Sequence, residues 1–150
     1  MSNMRVFRVD TDKKRYLDLL LLADEQEDMI DRYLAEGTLF VLEEDGVKGV
    51  CVVTDEGDGL LEIKNLATEP AFQGRGYGRA LIDHVAKTYS GQFHTLQVGT
   101  GDSPATLPFY EKCGFVRSHV LKNFFIDNYD HIIIDGGVQL VDMVYLRKPI

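Results

Sequence analysis

The stretch that decides the fold is Gln-Gly-Arg-Gly-Tyr-Gly-Arg at residues 73–79. Its alternating glycines let the backbone bend tightly and approach a ligand without a Cβ in the way. An apolar run precedes the stretch and an amphipathic run follows it, so it lies where a strand hands over to a helix. A helix N-terminus presents unpaired N–H groups and partial positive charge, and Arg75 and Arg79 add full charges. The stretch therefore predicts a cradle for a phosphate-bearing ligand.

The hydrophobic patterns on either side predict alternating strands and helices. Strands are expected at residues 4–9, 38–43, 47–54, 60–68, 93–98, 115–125 and 139–147. Helices are expected from a cap at Thr11 or Asp12 to about residue 22, around residues 29–34, after the glycine stretch to about residue 90, and between residues 103 and 114. The order βααβββαβαββ predicts an α/β fold of the mixed α+β kind. It has a central mixed sheet of about seven strands with helices on both faces. Residues 1–150 show no internal linker, and one domain is expected.

The composition is that of a globular protein with an acidic surface. Hydrophobic residues make up 45% and charged residues 27% of the 150 residues, and the formal net charge is −8. This charge argues against nucleic acid or an anionic membrane as a partner. An acidic body around a basic loop suits an anionic cofactor combined with a neutral or cationic second substrate.

The two cysteines indicate neither a disulfide framework nor a metal site. Cys51 and Cys113 lie far apart, in no Cys-x-x-Cys or Cys/His cluster, and are expected to be small core residues. No bound metal is expected. The first ten residues contain no apolar leader, and no segment approaches the length of a membrane span. The expected location is the cytoplasm.

Two common phosphate-binding templates do not fit the glycine stretch. A dinucleotide fingerprint needs a third glycine five residues after the first, and neither Gly74 nor Gly76 has one. A Walker loop needs a Gly-Lys-Ser/Thr ending, which is absent from the stretch. The pattern that fits is Gln-x-x-Gly-x-Gly, formed by Gln73, Gly76 and Gly78 after a strand that ends near Thr68.

This pattern resembles the acetyl-CoA motif of the GNAT N-acetyltransferase superfamily. A second family motif, Tyr-Glu-Lys-x-Gly-Phe, is matched by Tyr-Glu-Lys-Cys-Gly-Phe at residues 110–115. The two motifs stand in the family order and spacing, and the resemblance covers most of the chain. It implies the GNAT fold, acetyl-CoA as a co-substrate and an amine as the acceptor.

The resemblance also implies which residues hold the donor. Backbone groups of Leu66, Ala67 and Thr68 would pair with the pantetheine arm. The pyrophosphate would lie over the amides of the glycine stretch, which are those of Gln73, Gly74, Arg75, Gly76, Tyr77, Gly78 and Arg79.

For the chemistry, the resemblance implies that Tyr110 is the general acid that protonates the departing thiolate. Glu62 aligns with the glutamate that some members use as a base, whereas others use chains of water. The Leu66 N–H would polarise the thioester carbonyl. On a regular strand Glu62, Lys64 and Leu66 share one face, and Ile63, Asn65 and Ala67 share the other. Because proline disrupts a helix interior, Pro104 and Pro108 predict a helix that begins near residue 106 or 107, or kinks there.

The sequence says less about the acceptor substrate than about the donor. Residues 23–28 form an acidic connection between the first two helices, and Asp31 follows it, which favours a small cationic amine such as a polyamine or an aminoglycoside. Residues 123–145 are rich in Phe, Ile, Tyr and Asp and suit either a wall of the acceptor pocket or a homodimer surface. A protein or peptide N-terminus as acceptor, and a non-catalytic acyl-CoA sensor, remain alternative functions.

Overall fold

A computed structural model describes residues 3–150. Residues 1 and 2, part of the stretch in which no leader is expected, lie outside that range. The strands of the described chain are β1 (Arg5–Val9), β2 (Thr38–Glu43), β3 (Val47–Asp55), β4 (Leu60–Thr68), β5 (Thr95–Gly101), β6 (Val116–Leu121), β7 (Ile134–Asp135), β8 (Val138–Gln139) and β9 (Met143–Pro149). Its α-helices are α1 (Leu17–Ala23), α2 (Glu27–Asp31), α3 (Tyr77–Tyr89), α4 (Leu107–Lys112) and α5 (Phe124–Asn128).

Seven of the strands form one mixed sheet in the order β1-β2-β3-β4-β5-β9-β6. β1 to β4 pair antiparallel in sequence order, β4 and β5 pair parallel, and β9 inserts antiparallel between β5 and β6. The predicted mixed α/β architecture with seven strands is confirmed. None of the described helices is both long and apolar enough to span a lipid bilayer.

The sheet is covered on both faces because the side chains of its central strands alternate between two cores. In β2, Leu39 and Val41 pack with residues of α1 and α2, whereas Phe40 and Leu42 pack with residues of α3. Leu81, which is fully buried, anchors α3 in the second core. The donor motif and the first two helices therefore lie on opposite faces of the sheet.

The C-terminal third differs from the predicted pattern. The strand expected at residues 115–125 ends at Leu121, because Asn123 takes a left-handed φ of 59° and begins α5. Asparagine tolerates this conformation better than most residues. The last strand begins at Met143 rather than residue 139, and β7 and β8 form a separate hairpin across Gly136 and Gly137.

Two other predicted boundaries were inaccurate. A 3₁₀ turn at Lys13–Tyr16 precedes α1, and Asp12, at a left-handed φ of 51°, offers no side-chain cap. β5 begins at Thr95 and continues to Gly101, three residues beyond the predicted end. The α4 prediction is confirmed in one of its forms, because the helix begins at Leu107 with Pro108 in its first turn.

A β-bulge in β4 corrects the predicted division of side chains between faces. Val52 faces Asn65, but the next residue, Val53, faces Ile63, so Lys64 is an extra residue in β4. Ile63 packs in the α3 core, whereas Asn65 donates to the Leu20 carbonyl on the α1 face. Ile63 and Asn65 therefore face opposite sides of the sheet, contrary to the expectation for a regular strand.

Candidate active site

The centre of the site is a gap between two parallel strands. β4 and β5 are in register from Leu60 with Thr95 to Ile63 with Val98, and both strands continue beyond that point without pairing. The strands therefore diverge at the middle of the sheet. A cleft of about 870 Å³ lies there, lined by both strand ends and by side chains from both faces.

Two backbone amides on β4 are turned toward this gap. In antiparallel strands, facing residues alternate between exchanging hydrogen bonds and turning their N–H and C=O groups outward. The Glu69 N–H donates to the Lys48 carbonyl over 2.8 Å, which sets the alternation in the pairing of β3 with β4. It follows that Thr68 and Leu66 turn their polar backbone groups toward the β5 side, and that Ala67 turns its groups toward β3. Of the three residues predicted to pair with the donor, two present their backbone to the cleft.

The glycine stretch has the conformation that its sequence requires. Gly74 and Gly76 have φ values of 79° and 88°, a region that disfavours side chains, and Gly76 is the N-cap of α3. A Cβ on Gly78 would lie 3.1 Å from Phe109 Cζ, so this glycine lets α3 approach α4 closely. As a glycine, Gly76 has no side chain with which to cap α3. The first-turn N–H groups of α3 therefore remain available to an anion.

The side chains of the stretch lie in three different settings. Arg75 and Arg79 are exposed; the Arg75 guanidinium lies 5.1 Å from the Phe72 ring centre, and Arg79 Nη1 donates to the Lys112 carbonyl over 3.4 Å. Gln73 lines the cleft. Tyr77 is buried and its hydroxyl donates to Glu44 over 2.8 Å, so its side chain anchors the loop to the β2–β3 turn.

Tyr110 reaches the cleft from α4. Its ring is 8% exposed and packs edge-on against Phe109 and Phe115, with ring centres 5.1 and 5.7 Å away. Burial, and then the nearby thiols of Cys51 and Cys113, raise the pKa of Tyr110 above its ordinary value of 10.0. Within the described chain no protein group hydrogen-bonds to its hydroxyl, which leaves that hydroxyl free for a ligand.

Glu62 lies in the same cleft but is already engaged. It is 5% exposed; Gln97 Nε2 donates to Oε1 over 2.6 Å and Lys64 Nζ lies 2.8 Å from Oε2. Burial alone would lower the pKa of Lys64, but the hydrogen bond and charge of Glu62 outweigh it, so this pKa is raised. Arg147 Nε donates to Gln97 Oε1 over 2.7 Å and holds the amide in place. The Glu62 carboxylate is therefore part of an ion pair.

A second buried carboxylate, at the end of α1, was not singled out from the sequence. Asp24 is 9% exposed and accepts hydrogen bonds from the Tyr33 hydroxyl at 2.9 Å and the Tyr129 hydroxyl at 2.5 Å. Asn65 Nδ2 donates to the same Tyr33 hydroxyl over 3.1 Å. Burial raises the pKa of Asp24, although both tyrosine hydrogen bonds oppose that effect. Asp24 lay in the recognised acidic connection, but no local pattern marked it or paired it with a tyrosine 105 residues away.

The lining of the cleft is acidic, and the C-terminal segment forms part of its wall. Phe125, Tyr129 and Ile133 line the cleft, so residues 123–145 form part of its wall. Two cationic side chains, Arg32 and Lys64, face seven carboxylates there. The carboxylates are those of Asp24, Glu25, Glu36, Asp55, Glu56, Glu62 and Asp135. Within residues 3–150, no group of three or more His, Cys, Asp or Glu side chains is arranged to hold a metal ion.

Known proteins resemble this chain over its whole length. Residues 35–117 match the family described as an acetyltransferase (GNAT) domain. An uncharacterised N-acetyltransferase of Bacillus subtilis, YvbK, is 35% identical over 149 residues, which cover 97% of this chain and 96% of the relative.

Two solved structures superpose closely. A GNAT family acetyltransferase from Elizabethkingia anophelis, with acetyl-CoA bound, has a TM-score of 0.92 and 32% identity and covers 99% of both chains. An IAA acetyltransferase from Bacillus cereus has the same TM-score and identity, covering 99% of this chain and 100% of its own.

Proposed function

The chain belongs to the GNAT family of acetyltransferases, and we propose that it transfers an acetyl group from acetyl-CoA directly to a primary amine of a small cationic molecule. The observation that carries this proposal is the gap between β4 and β5. There the outward-facing amide of Leu66 and the free hydroxyl of Tyr110 line one cleft.

The donor side of the cleft fits the shape and charge of acetyl-CoA. The outward backbone groups of Leu66 and Thr68 offer strand-like hydrogen bonds to an amide-containing arm. The uncapped start of α3 and the left-handed glycines offer N–H groups to a pyrophosphate, with Arg75 and Arg79 adding charge from outside. The similar protein from E. anophelis holds acetyl-CoA. When bound, acetyl-CoA supplies an activated thioester.

Tyr110 and Leu66 have complementary tasks in the transfer. The Leu66 N–H would donate to the thioester oxygen as negative charge develops on it. The Tyr110 phenol is protonated at neutral pH, since its ordinary pKa is 10.0 and burial raises that pKa further, and it would give its proton to the thiolate that leaves. The hydroxyl has no competing protein partner within the described chain, so it would not have to break a hydrogen bond first.

The base that takes a proton from the amine is a separate question. Glu62 remains our proposed base, acting either directly or through water. In the structure Oε2 of its carboxylate lies 2.8 Å from Lys64 Nζ, and Oε1 accepts a hydrogen bond from Gln97. The acceptor's ammonium would therefore have to replace Lys64, or water would have to connect the amine to Glu62.

The excess of carboxylates in the lining of the cleft supports a cationic substrate. Seven acidic side chains against two basic ones raise the local concentration of cations and disfavour anionic acceptors. The α1–α2 connection contributes Asp24 and Glu25 to this lining, whereas Glu27 and Asp28 are exposed outside it.

The test is a thiol-release assay with acetyl-CoA and a panel of polyamines, aminoglycosides, simple alkylamines, anionic amino acids and N-terminal peptides. We expect CoA release to require an acceptor and to be fastest with cationic small amines. Peptides as the best acceptors would replace the proposed substrate class. Acetyl-CoA binding without acetylation of any amine would instead favour a sensor.

Three further expectations accompany this proposal. Residues 1–150 act as one domain, the protein works in the cytoplasm, and it forms a homodimer. Limited proteolysis, cell fractionation and light scattering test them in turn. A candidate dimer surface is β6, an edge strand whose six residues are all exposed.

A further inference from the structure

The two buried carboxylates of the cleft differ in one respect. Glu62 is neutralised by Lys64 at 2.8 Å, whereas no lysine, arginine or histidine of the described chain forms an ion pair with Asp24. A buried carboxylate without a cation is costly, because it loses hydration without regaining an opposite charge. Asp24 is therefore a buried carboxylate without an ion-pair partner in the described chain.

Arg32 acts on Asp24 electrostatically but does not form an ion pair with it. Arg32 is close enough to exert an electrostatic effect on Asp24, but its Nη1 donates to Asn128 Oδ1 over 3.0 Å instead. Hydroxyls of Tyr33 and Tyr129 hold the carboxylate from two sides. These neutral donors fix its position without supplying a positive charge.

A second group of the same cluster lacks a donor. Asn65 is 3% exposed, lines the cleft, and its Oδ1 has no hydrogen-bond partner among residues 3–150. Its Nδ2 donates to the Leu20 carbonyl over 2.9 Å. A carbonyl only accepts, so this bond fixes which end of the amide is the oxygen. The cluster thus combines an unneutralised carboxylate with an acceptor that has no hydrogen to accept.

We propose that Asp24 and Asn65 form a subsite for a protonated, non-reacting amine of the acceptor, so that the substrate carries at least two basic nitrogens. An ammonium group supplies a positive charge for Asp24 and N–H donors for both residues. This inference rests on the proposed function, because it assigns a second anchor within the same acceptor cleft.

The subsite suits a charged nitrogen rather than the nucleophile. The nitrogen that attacks must be neutral, and a neighbouring carboxylate stabilises the charged form of an amine. Asn65 is adjacent to Leu66, whose amide faces the gap, so the anchored end of the acceptor lies beside the reaction centre. The linker between the two nitrogens then runs from the α1 face of the sheet to the gap.

The experiment separates binding from turnover. Calorimetry measures 1,4-diaminobutane binding to the protein saturated with CoA, which has no acetyl group to transfer, and 1-aminobutane is the singly charged comparison. Asp24→Asn removes the proposed anchor with little change of shape. Asp18→Asn is the matched control, because Asp18 lies on α1, is exposed and does not line the cleft. Thermal unfolding checks that both variants fold.

We expect the diamine to bind the wild-type protein more tightly than 1-aminobutane does, and Asp24→Asn to weaken diamine binding about 10- to 100-fold. Asp18→Asn should change diamine binding by less than about twofold. In turnover, Asp24→Asn should raise the KM for the diamine and leave the KM for acetyl-CoA unchanged.

Equal diamine binding by the wild type and Asp24→Asn, or no diamine binding at all, would overturn the subsite. An active wild-type enzyme whose kcat/KM for the diamine is insensitive to Asp24→Asn would do the same, and the proposed function would survive. Asp24-dependent binding without acetylation of any amine would have the opposite meaning. The subsite would then stand and the proposed function would fail.

Discussion

Replacing Tyr110 with phenylalanine removes one oxygen atom and little else. The ring keeps its contacts with Phe109 and Phe115, and no protein group within the described chain loses a hydrogen bond. The free energy of unfolding should therefore change by less than about 0.5 kcal/mol. A general acid contributes about 10²- to 10⁴-fold to a rate, which corresponds to roughly 3 to 5 kcal/mol of transition-state stabilisation. We expect kcat to fall by that factor.

Initial rates of thiol release, measured against acetyl-CoA at a saturating amine concentration, give kcat and the KM for acetyl-CoA separately. The KM should stay within about twofold, since Tyr110 is assigned to the leaving group and not to donor binding. Tyr89→Phe is the control, because Tyr89 packs against Phe40 and Phe93 and does not line the cleft. A Tyr110→Phe enzyme with the kcat of the wild type would refute the assignment of the acid.

Three further substitutions test the loop, the buried carboxylate and the ion pair. Gly76→Ala, at a φ of 88°, should cost about 1 to 2 kcal/mol of stability and weaken acetyl-CoA binding, whereas Gly91→Ala in open space should do neither; thermal melts with and without acetyl-CoA measure both. Burial raises the pKa of Asp24 in the folded state. The folded protein therefore loses stability as pH rises from the ordinary pKa of 3.8 to the raised pKa, and the loss is complete above the raised pKa. Asp24→Asn should therefore have a higher melting temperature than the wild type at pH 7. A difference in melting temperature that does not shrink toward pH 4 would contradict this. Lys64→Met should cost about 3 kcal/mol by leaving Glu62 unpaired, and adding Glu62→Gln should restore part of that loss in urea denaturation; additive losses would argue against coupling.

The parts of the fold that sequence reasoning predicted are those set by short-range patterns. β4 begins and ends at the predicted residues, and α3 follows the glycine stretch, because alternation and helical spacing are local signals. The C-terminal segment was less predictable. Its apolar residues are spread over α5, a hairpin of two-residue strands and β9, and the first two of these are too short to establish a clear period.

The site, too, could be predicted only where its residues are neighbours in the sequence. The backbone cradle could be located from Gln73, Gly76 and Gly78, because the glycine spacing and the start of the helix are both local features of the sequence. The state of Glu62 could not, because its partner Gln97 comes from β5 and the bulge at Lys64 changes which side chains share a face. The Asp24 cluster depends on a contact between α1 and the C-terminal segment, which only the folded chain brings together.

The divergence of β4 from β5 has a mechanical consequence. Four register pairs, from Leu60 with Thr95 to Ile63 with Val98, join the two halves of the sheet, and beyond them the central seam is open. A ligand that bonds to the exposed β4 edge acts as a missing strand and closes part of this seam. The donor substrate would thus complete the architecture of the protein as well as its chemistry. Opening of the sheet at its midline, and with it susceptibility to proteases, would then depend on the supply of acetyl-CoA.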